Sequence, residues 1–155
     1  MSTAAYLARA PRGLAAADIW PCDLGPDLSR GFRALKTWFT FQAFGAVRLG
    51  ETLAQTCHVA RHLEALIRRS SLFELSAEVR LNIVCFSRTG TGRDAENRAI
   101  VEALHNAGRW APSITTPDGA ATIRCAIVNH RTRAADIDAF VDDLEGVATA
   151  LAPAV

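Results

Sequence analysis

Lysine is nearly absent from this sequence. The 17 basic residues are sixteen arginines and a single lysine, Lys36, and 16 acidic residues leave a net charge of +1. A chain so close to neutrality has no overall field that would attract nucleic acid or an anionic membrane. No stretch approaches the roughly 18 apolar residues of a transmembrane helix, and Arg9 and Arg12 interrupt any secretory signal. We therefore expect neither nucleic-acid nor membrane binding.

Closely spaced cysteines are absent as well. Cys22, Cys57, Cys85 and Cys125 are 35, 28 and 40 residues apart, and no C-x-x-C pair signals a zinc or redox site. Such spacing favours reduced thiols in a cytoplasmic protein. With 155 residues, of which 50% are hydrophobic, the chain has the size of one domain and can build a core.

The hydrophobic pattern predicts two leading helices and then a mixture of strands and helices. The first helix has Ser29 as its N-cap and ends before Gly45. The predicted helices cover 29–44, 46–69, 95–107 and 134–151, and the predicted strands cover 73–76, 81–86, 112–116 and 121–128. This order predicts an α+β fold, a small antiparallel sheet with helices on one face, preceded by two helices.

Several motifs are compatible with a functional site and also with an ordinary protein surface. His58 and His62 lie one helical turn apart and could bind a metal, but no glutamate completes H-E-x-x-H, so a polar helix face is the simpler interpretation. T-G-T-G-R-D at 89–94 could bind an anion at a helix N-terminus or form a plain turn. Asp142 and Asp143 are interpreted as solvated, and no G-x-S-x-G motif supports a hydrolase.

Two groups of basic residues carry stronger signals. Arg124 lies inside the mostly apolar run T-I-R-C-A-I-V. It must either reach solvent beside Thr122 on a half-exposed sheet face or bind a carboxylate or phosphate, because burying it unpaired is costly. Arg30, Arg33 and Lys36 cluster where the first helix begins and oppose its macrodipole. They are either solvated or stabilised by an anion or a partner surface.

Three segments carry a family resemblance. D-L-G-P-D-L-S-R-G-F-R-A-L-K-T-W-F-T-F-Q-A-F-G at 23–45 resembles the stretch after the cofactor lysine in group II pyridoxal-phosphate decarboxylases, the aromatic-L-amino-acid decarboxylase family. F-E-L-S-A-E-V-R-L-N-I-V-C-F-S-R-T-G at 73–90 resembles that family's strand pair. T-I-R-C-A-I-V-N-H-R-T-R-A-A-D-I at 122–137 resembles its closing strand and helix. The resemblance covers roughly residues 4–150.

The resemblance implies the C-terminal portion of a fold-type I enzyme. Residues 1–45 would be the tail end of the large domain, and residues 46–155 would be the C-terminal small domain. The family's cofactor lysine precedes the matching segment, so the resemblance implies no catalytic residue here, and Lys36 matches a different lysine. It further implies pyridoxal 5'-phosphate as the electron sink for decarboxylation, an amino-acid substrate, and a homodimer or the missing large domain as partner.

The resemblance also assigns residue roles. Arg124 matches a strand arginine that contacts the substrate carboxylate in glutamate-decarboxylase-like members. Arg30, Lys36 and Trp38 match a helix motif that we expect to line or buttress the cofactor region. Two functions follow: a portion of a cytoplasmic amino-acid decarboxylase that is inactive alone, or a non-catalytic remnant or small interaction module without cofactor. No metal is expected, and the substrate amino acid stays open.

Overall fold

The computed structural model describes residues 31–151, except for the side chain of Asp118. The chain divides into two compact units, and the boundary falls between Gly45 and Ala46. Within the described residues, the first unit contains one helix, α1 (Arg33–Phe44). None of its twelve residues is buried. Its apolar side chains therefore contribute nothing to a described core.

Helix α1 begins later than predicted. Residues 31 and 32 are not helical, and the Arg33 N–H donates to the Gly31 carbonyl at 2.7 Å in a tight turn. Glycine has a low helix propensity, so the helix does not extend back through this position. The prediction of Ser29 as N-cap is therefore wrong, and Ser29 itself lies outside the described residues. Gly45 follows the helix with φ of 75° and donates its N–H to Phe41, as predicted for a C-terminal glycine.

The second unit contains a four-stranded antiparallel sheet with the strand order β1-β2-β4-β3. Its elements are α2 (Ala46–Arg69), β1 (Phe73–Leu75), β2 (Ile83–Arg88), α3 (Arg93–Asn106), β3 (Ser113–Thr115), a 3₁₀ turn (Pro117–Gly119), β4 (Thr122–Ala126) and α4 (Ala134–Ala150). The three helices cover one face of this sheet, which confirms the predicted α+β fold. None of the described helices is long and apolar enough to cross a bilayer.

The core lies between the sheet and these three helices. Phe86 of β2 and Ile123 of β4 are cross-strand partners, and both are fully buried. Leu63, Leu104 and Leu144 supply the main contacts from α2, α3 and α4. Each such side chain contributes about 1.5–3 kcal/mol through removal of apolar surface from water.

Only the second half of α2 contributes to the core. The predicted apolar stripe holds at Leu63 and Ile67, which are fully buried, but Val47 is 77% exposed and Leu53 is 64% exposed. A helix of 24 residues is about 36 Å long, whereas strands of three to six residues span at most about 20 Å. The sheet is therefore too short to cover the whole stripe.

A buried asparagine fixes where β2 ends. This strand runs two residues beyond its predicted end, to Arg88, whose N–H donates to the side-chain oxygen of Asn97 at 2.9 Å. The Asn97 amide then donates to the carbonyl of Ala121 at 2.7 Å. Asn97 is fully buried. One side chain of α3 thus satisfies the backbone of two neighbouring strands.

Candidate functional site

The sheet face opposite the helices, here called the open face, carries Arg124. The strand register places Arg124 directly across from Cys85 on β2 and from Ser113 on β3. Side chains alternate along a strand, so Thr122 and Ala126 flank Arg124 on the same face. All four neighbours are small and uncharged. The centre of the open face is therefore a guanidinium surrounded by short side chains.

The Arg124 guanidinium has no acidic partner among residues 31–151. Arg124 is half-buried. The Ser113 hydroxyl donates to the main-chain carbonyl of Arg124 at 3.3 Å and not to its guanidinium. Five other arginines each pair with a carboxylate at 2.8–3.3 Å: Arg68, Arg80, Arg88, Arg93 and Arg109. A planar guanidinium held on a rigid strand suits two-point binding of a carboxylate. The open face therefore presents a cation without a neutralising carboxylate among the described residues.

The neighbouring thiols, Cys85 and Cys125, do not add a negative charge beside Arg124. Burial raises the pKa of Cys85 above its ordinary value of 9.0, and the adjacent Arg124 cation offsets this only in part. Burial, and then Cys85, raise the pKa of Cys125 to about 12, again against an opposing effect of Arg124. Both thiols are therefore protonated near neutral pH. The described cysteines are free and half-buried.

A pocket lined by hydroxyl groups, here called the hydroxyl pocket, lies one row further along the open face. Its volume is about 330 Å³. The hydroxyls of Ser76 and Ser87 are 2.9 Å apart, and Ser87 donates to Thr122 at 3.5 Å. An Arg93–Glu74 ion pair of 3.0 Å forms one wall. Sequence reasoning missed this group, because only the strand register brings the three hydroxyls together.

Thr122, which shares the face of Arg124 as the alternation predicted, is shielded from solvent. Thr122 is only 2% exposed, although it lies on the face opposite the helices. The loop that contains the 3₁₀ turn lines the same pocket through Pro117 and Ala120, and it shields this end of the strand from water. The open face is therefore half-exposed at Arg124 but buried one row away, at Thr122.

The remaining motifs make contacts within the chain. Gly90 and Gly92 adopt positive φ angles, and Asp94 in the first turn of α3 accepts the Ala121 N–H at 3.1 Å, which favours the plain-turn interpretation of T-G-T-G-R-D. His62 binds Asp138 at 2.6 Å and links α2 to α4, while His58 is exposed. The described residues contain no group of three potential metal ligands.

The interpretation of Asp143 as solvated holds in part, because its side chain is 43% exposed, but the carboxylate also has two partners within the chain. Asp143 accepts the indole N–H of Trp110 at 2.6 Å and pairs with Arg109 at 3.1 Å. No spacing rule connects these residues, because 33 positions separate the aspartate from the tryptophan. The contact exists only because α4 returns beside the loop after α3.

The residues expected near a cofactor belong to the first unit. Lys36 and Trp38 lie on α1 and are exposed, and the Trp38 ring meets Phe39 edge-on at 5.1 Å. Arg30 lies outside the described residues. The hydroxyl pocket contains no lysine. Among the described residues, Arg124 therefore belongs to the second unit, whereas Lys36 and Trp38 belong to the first.

Comparisons with known proteins identify the family. The model of the pyridoxal-dependent decarboxylase conserved domain matches residues 3–89. Aromatic-L-amino-acid decarboxylase of Bos taurus is 36% identical over 80 residues, which are 52% of this chain and 16% of the relative. Tyrosine decarboxylase 3 of Petroselinum crispum is 32% identical over 136 residues, with 75% of this chain and 26% of the relative covered. The chain belongs to the pyridoxal-dependent decarboxylase family.

Solved structures agree at the level of the fold. The crystal structure of Oryza sativa TDC with PLP and tryptamine superimposes with a TM-score of 0.72 and 23% sequence identity. The superposition covers 79% of this chain and 28% of the rice protein. The matched part of the chain therefore covers 16–28% of the length of these relatives and of the rice structure.

Proposed function

We propose that this chain supplies the substrate-carboxylate site of a pyridoxal-phosphate-dependent amino-acid decarboxylase. The observation that carries the proposal is the half-buried Arg124 guanidinium, which has no acid beside it among the described residues. An amino acid brings a carboxylate to such a site, and a bidentate pair with arginine fixes its orientation. The family membership of the chain supports this reading of the arginine.

The proposal assigns the cofactor lysine to a part of the enzyme that this chain does not contain. Residues 1–45 would end the large domain, and residues 46–155 would form the small domain. Lys36 and Trp38, with Arg30, would line or buttress the cofactor region. Two such assemblies would form a homodimer. The free cysteines suit a reducing compartment, so we place the enzyme in the cytoplasm.

The test uses Cys85 as a reporter beside Arg124. Iodoacetate and iodoacetamide both alkylate a thiolate with loss of iodide. Iodoacetate carries a negative charge, whereas iodoacetamide is neutral. If Arg124 binds carboxylates, the ratio of iodoacetate to iodoacetamide rates at Cys85 should fall by about tenfold in Arg124→Gln, the change expected for a loss of roughly 1.4 kcal/mol of attraction. Peptide mass spectrometry measures the rates, and Cys57 provides the internal reference.

Two controls sharpen this experiment. Arg98 is exposed and also lacks an acidic partner among residues 31–151, so Arg98→Gln should leave the Cys85 ratio unchanged. Added acetate should slow alkylation of Cys85 by iodoacetate but not by iodoacetamide. An equal ratio in the wild-type chain and in Arg124→Gln would refute carboxylate binding at Arg124.

The second candidate function is a small interaction module that binds no cofactor. The exposure of α1 favours it, because a helix with no buried residue offers an apolar surface to another protein. Under this alternative Arg124 would be a solvated surface charge. The alkylation ratio separates the two functions, since a solvated arginine without a carboxylate site gives no protection by acetate.

A further inference from the structure

A second pocket, here called the apolar pocket, lies at the end of β4 within the helix-covered side of the second unit. It has a volume of about 370 Å³, within the range of roughly 300–1,000 Å³ that small-molecule sites occupy. Leu63, Ile127, Ile137 and Phe140 line it, and each is at most 6% exposed. The walls therefore come from α2, α4 and the residues after β4. None of these residues belongs to the carboxylate site.

One wall of the apolar pocket is a tryptophan held in place from three sides. The indole N–H of Trp110 donates to Asp143 at 2.6 Å. Its ring meets Phe140 edge-on at a centroid distance of 5.6 Å, and the Arg109 guanidinium lies 4.7 Å from the ring centroid. Aromatic rings pack favourably against fixed ring edges and faces of this kind. The pocket thus presents a preformed aromatic corner.

The charged groups at the rim of this pocket make contacts within the chain. Arg109 pairs with Asp143 at 3.1 Å, whereas Asp136 accepts only the main-chain N–H of Arg133, at 2.8 Å. An anionic ligand would lose its hydration and gain no free cation from the lining residues in exchange, which is costly. The rim therefore disfavours a negatively charged molecule.

Two polar groups at the rim keep hydrogen-bonding capacity. Within residues 31–151, the Thr132 hydroxyl and the Asn129 side-chain N–H₂ have no partner, although the Asn129 side-chain oxygen accepts the Arg131 N–H at 2.9 Å. A ligand with one hydroxyl group can bind at this point while its ring occupies the aromatic corner.

We propose that the apolar pocket is a binding site for a small aromatic molecule that carries one hydrogen-bonding group and no negative charge. The pocket size, the ion pair that occupies Arg109 at the rim and the fixed aromatic wall each point to this ligand class. An amino acid is a zwitterion, so the site is distinct from the proposed carboxylate site and independent of the proposed function.

Phenol is the probe, and the full 155-residue chain is the sample. Titration followed by ¹H–¹⁵N NMR should shift the Trp110 indole signal, assigned with Trp110→Phe, along a saturable curve. Phenylacetate carries the same ring with a negative charge, and it should bind at least about tenfold more weakly.

A matched pair of variants tests the hydrogen bond. Thr132→Val should weaken phenol severalfold and leave toluene, which lacks the hydroxyl, unchanged. Thr149→Val is the control, because the Thr149 hydroxyl bonds the Glu145 carbonyl on α4 and does not line the pocket. If Thr132→Val fails to fold, the comparison of charged and uncharged probes on the wild-type chain decides the proposal.

Two results would overturn this proposal. The first is no saturable shift of the Trp110 signal. The second is binding of phenylacetate as tight as that of phenol.

Discussion

At the scale of single residues, two polar side chains beside or on the sheet differ in their partners. Asn97 of α3 is fully buried and bonds backbone groups at the end of β2 and just before β4, whereas Arg124 of β4 is half-buried and has no acidic partner among residues 31–151. A buried backbone group without a partner is costly, so Asn97 has a structural role. For Arg124, carboxylate binding is the role proposed above.

Asn97→Ala should destabilise the second unit strongly. The substitution leaves the Arg88 N–H and the Ala121 carbonyl without partners in a buried environment, which should lower the free energy of unfolding by about 2–4 kcal/mol. Urea unfolding followed by circular dichroism measures the loss. Asn106→Ala at the exposed end of α3 is the control and should stay within roughly 0.5 kcal/mol of wild type. An Asn97→Ala chain as stable as that control would contradict the assigned role.

At the scale of elements, α1 differs from the three helices that cover the sheet. Each helix of the second unit buries one face, whereas α1 buries none. Four of its aromatic side chains, Trp38, Phe39, Phe41 and Phe44, are 49–57% exposed. An apolar helix of this kind needs a partner surface, which the proposed function assigns to the large domain.

The isolated chain should therefore self-associate through α1. Sedimentation velocity should show an average mass that rises with protein concentration, because burial of the exposed rings removes apolar surface from water. The double substitution Phe39→Ser and Phe41→Ser should reduce the association. Leu53→Ser is the matched control, since Leu53 is 64% exposed on α2. A monomer at high concentration would show that α1 needs no partner.

At the scale of the whole molecule, the chain belongs to the family but matches only part of the length of its relatives. The chain aligns with pyridoxal-dependent decarboxylases over most of its own length but over only 26–28% of the parsley and rice proteins. Its described residues hold an arginine suited to a carboxylate and no complete cofactor site. A carboxylate site without the cofactor cannot by itself stabilise the negative charge left on carbon when CO₂ departs.

The 155-residue chain should release no CO₂ from any amino acid, even with added pyridoxal phosphate. A radiometric assay of ¹⁴CO₂ from carboxyl-labelled amino acids measures this directly, with a full-length family member as the positive control. Steady release would contradict the assignment of the cofactor lysine to a missing part. An antibody against α4 provides the second measurement. In an extract of the source it should detect a polypeptide about three times heavier than 16.7 kDa.

Local pattern was sufficient for most of the fold. The period of apolar residues depends only on backbone geometry, so it predicted α2 at its observed bounds and placed α3, α4 and the strands to within about two residues. The resemblance of the segments 23–45, 73–90 and 122–137 predicted the family, whose model matches residues 3–89. The predicted start of α1 was too early, because the low helix propensity of Gly31 outweighed the helical pattern around it.

Contacts between distant residues required the tertiary structure. The sequence identified Arg124 but left open whether an acid would neutralise it, and only the register of β2, β3 and β4 shows that its neighbours are uncharged. The hydroxyl pocket and the Trp110–Asp143 bond join residues that are 11 to 35 positions apart. Hydrophobic periodicity acts between near neighbours on the chain, so the sequence by itself determined the elements and the family. Hydrogen bonds and ion pairs depend on which elements meet, so only the tertiary structure decided which polar groups are satisfied and which remain available for a ligand.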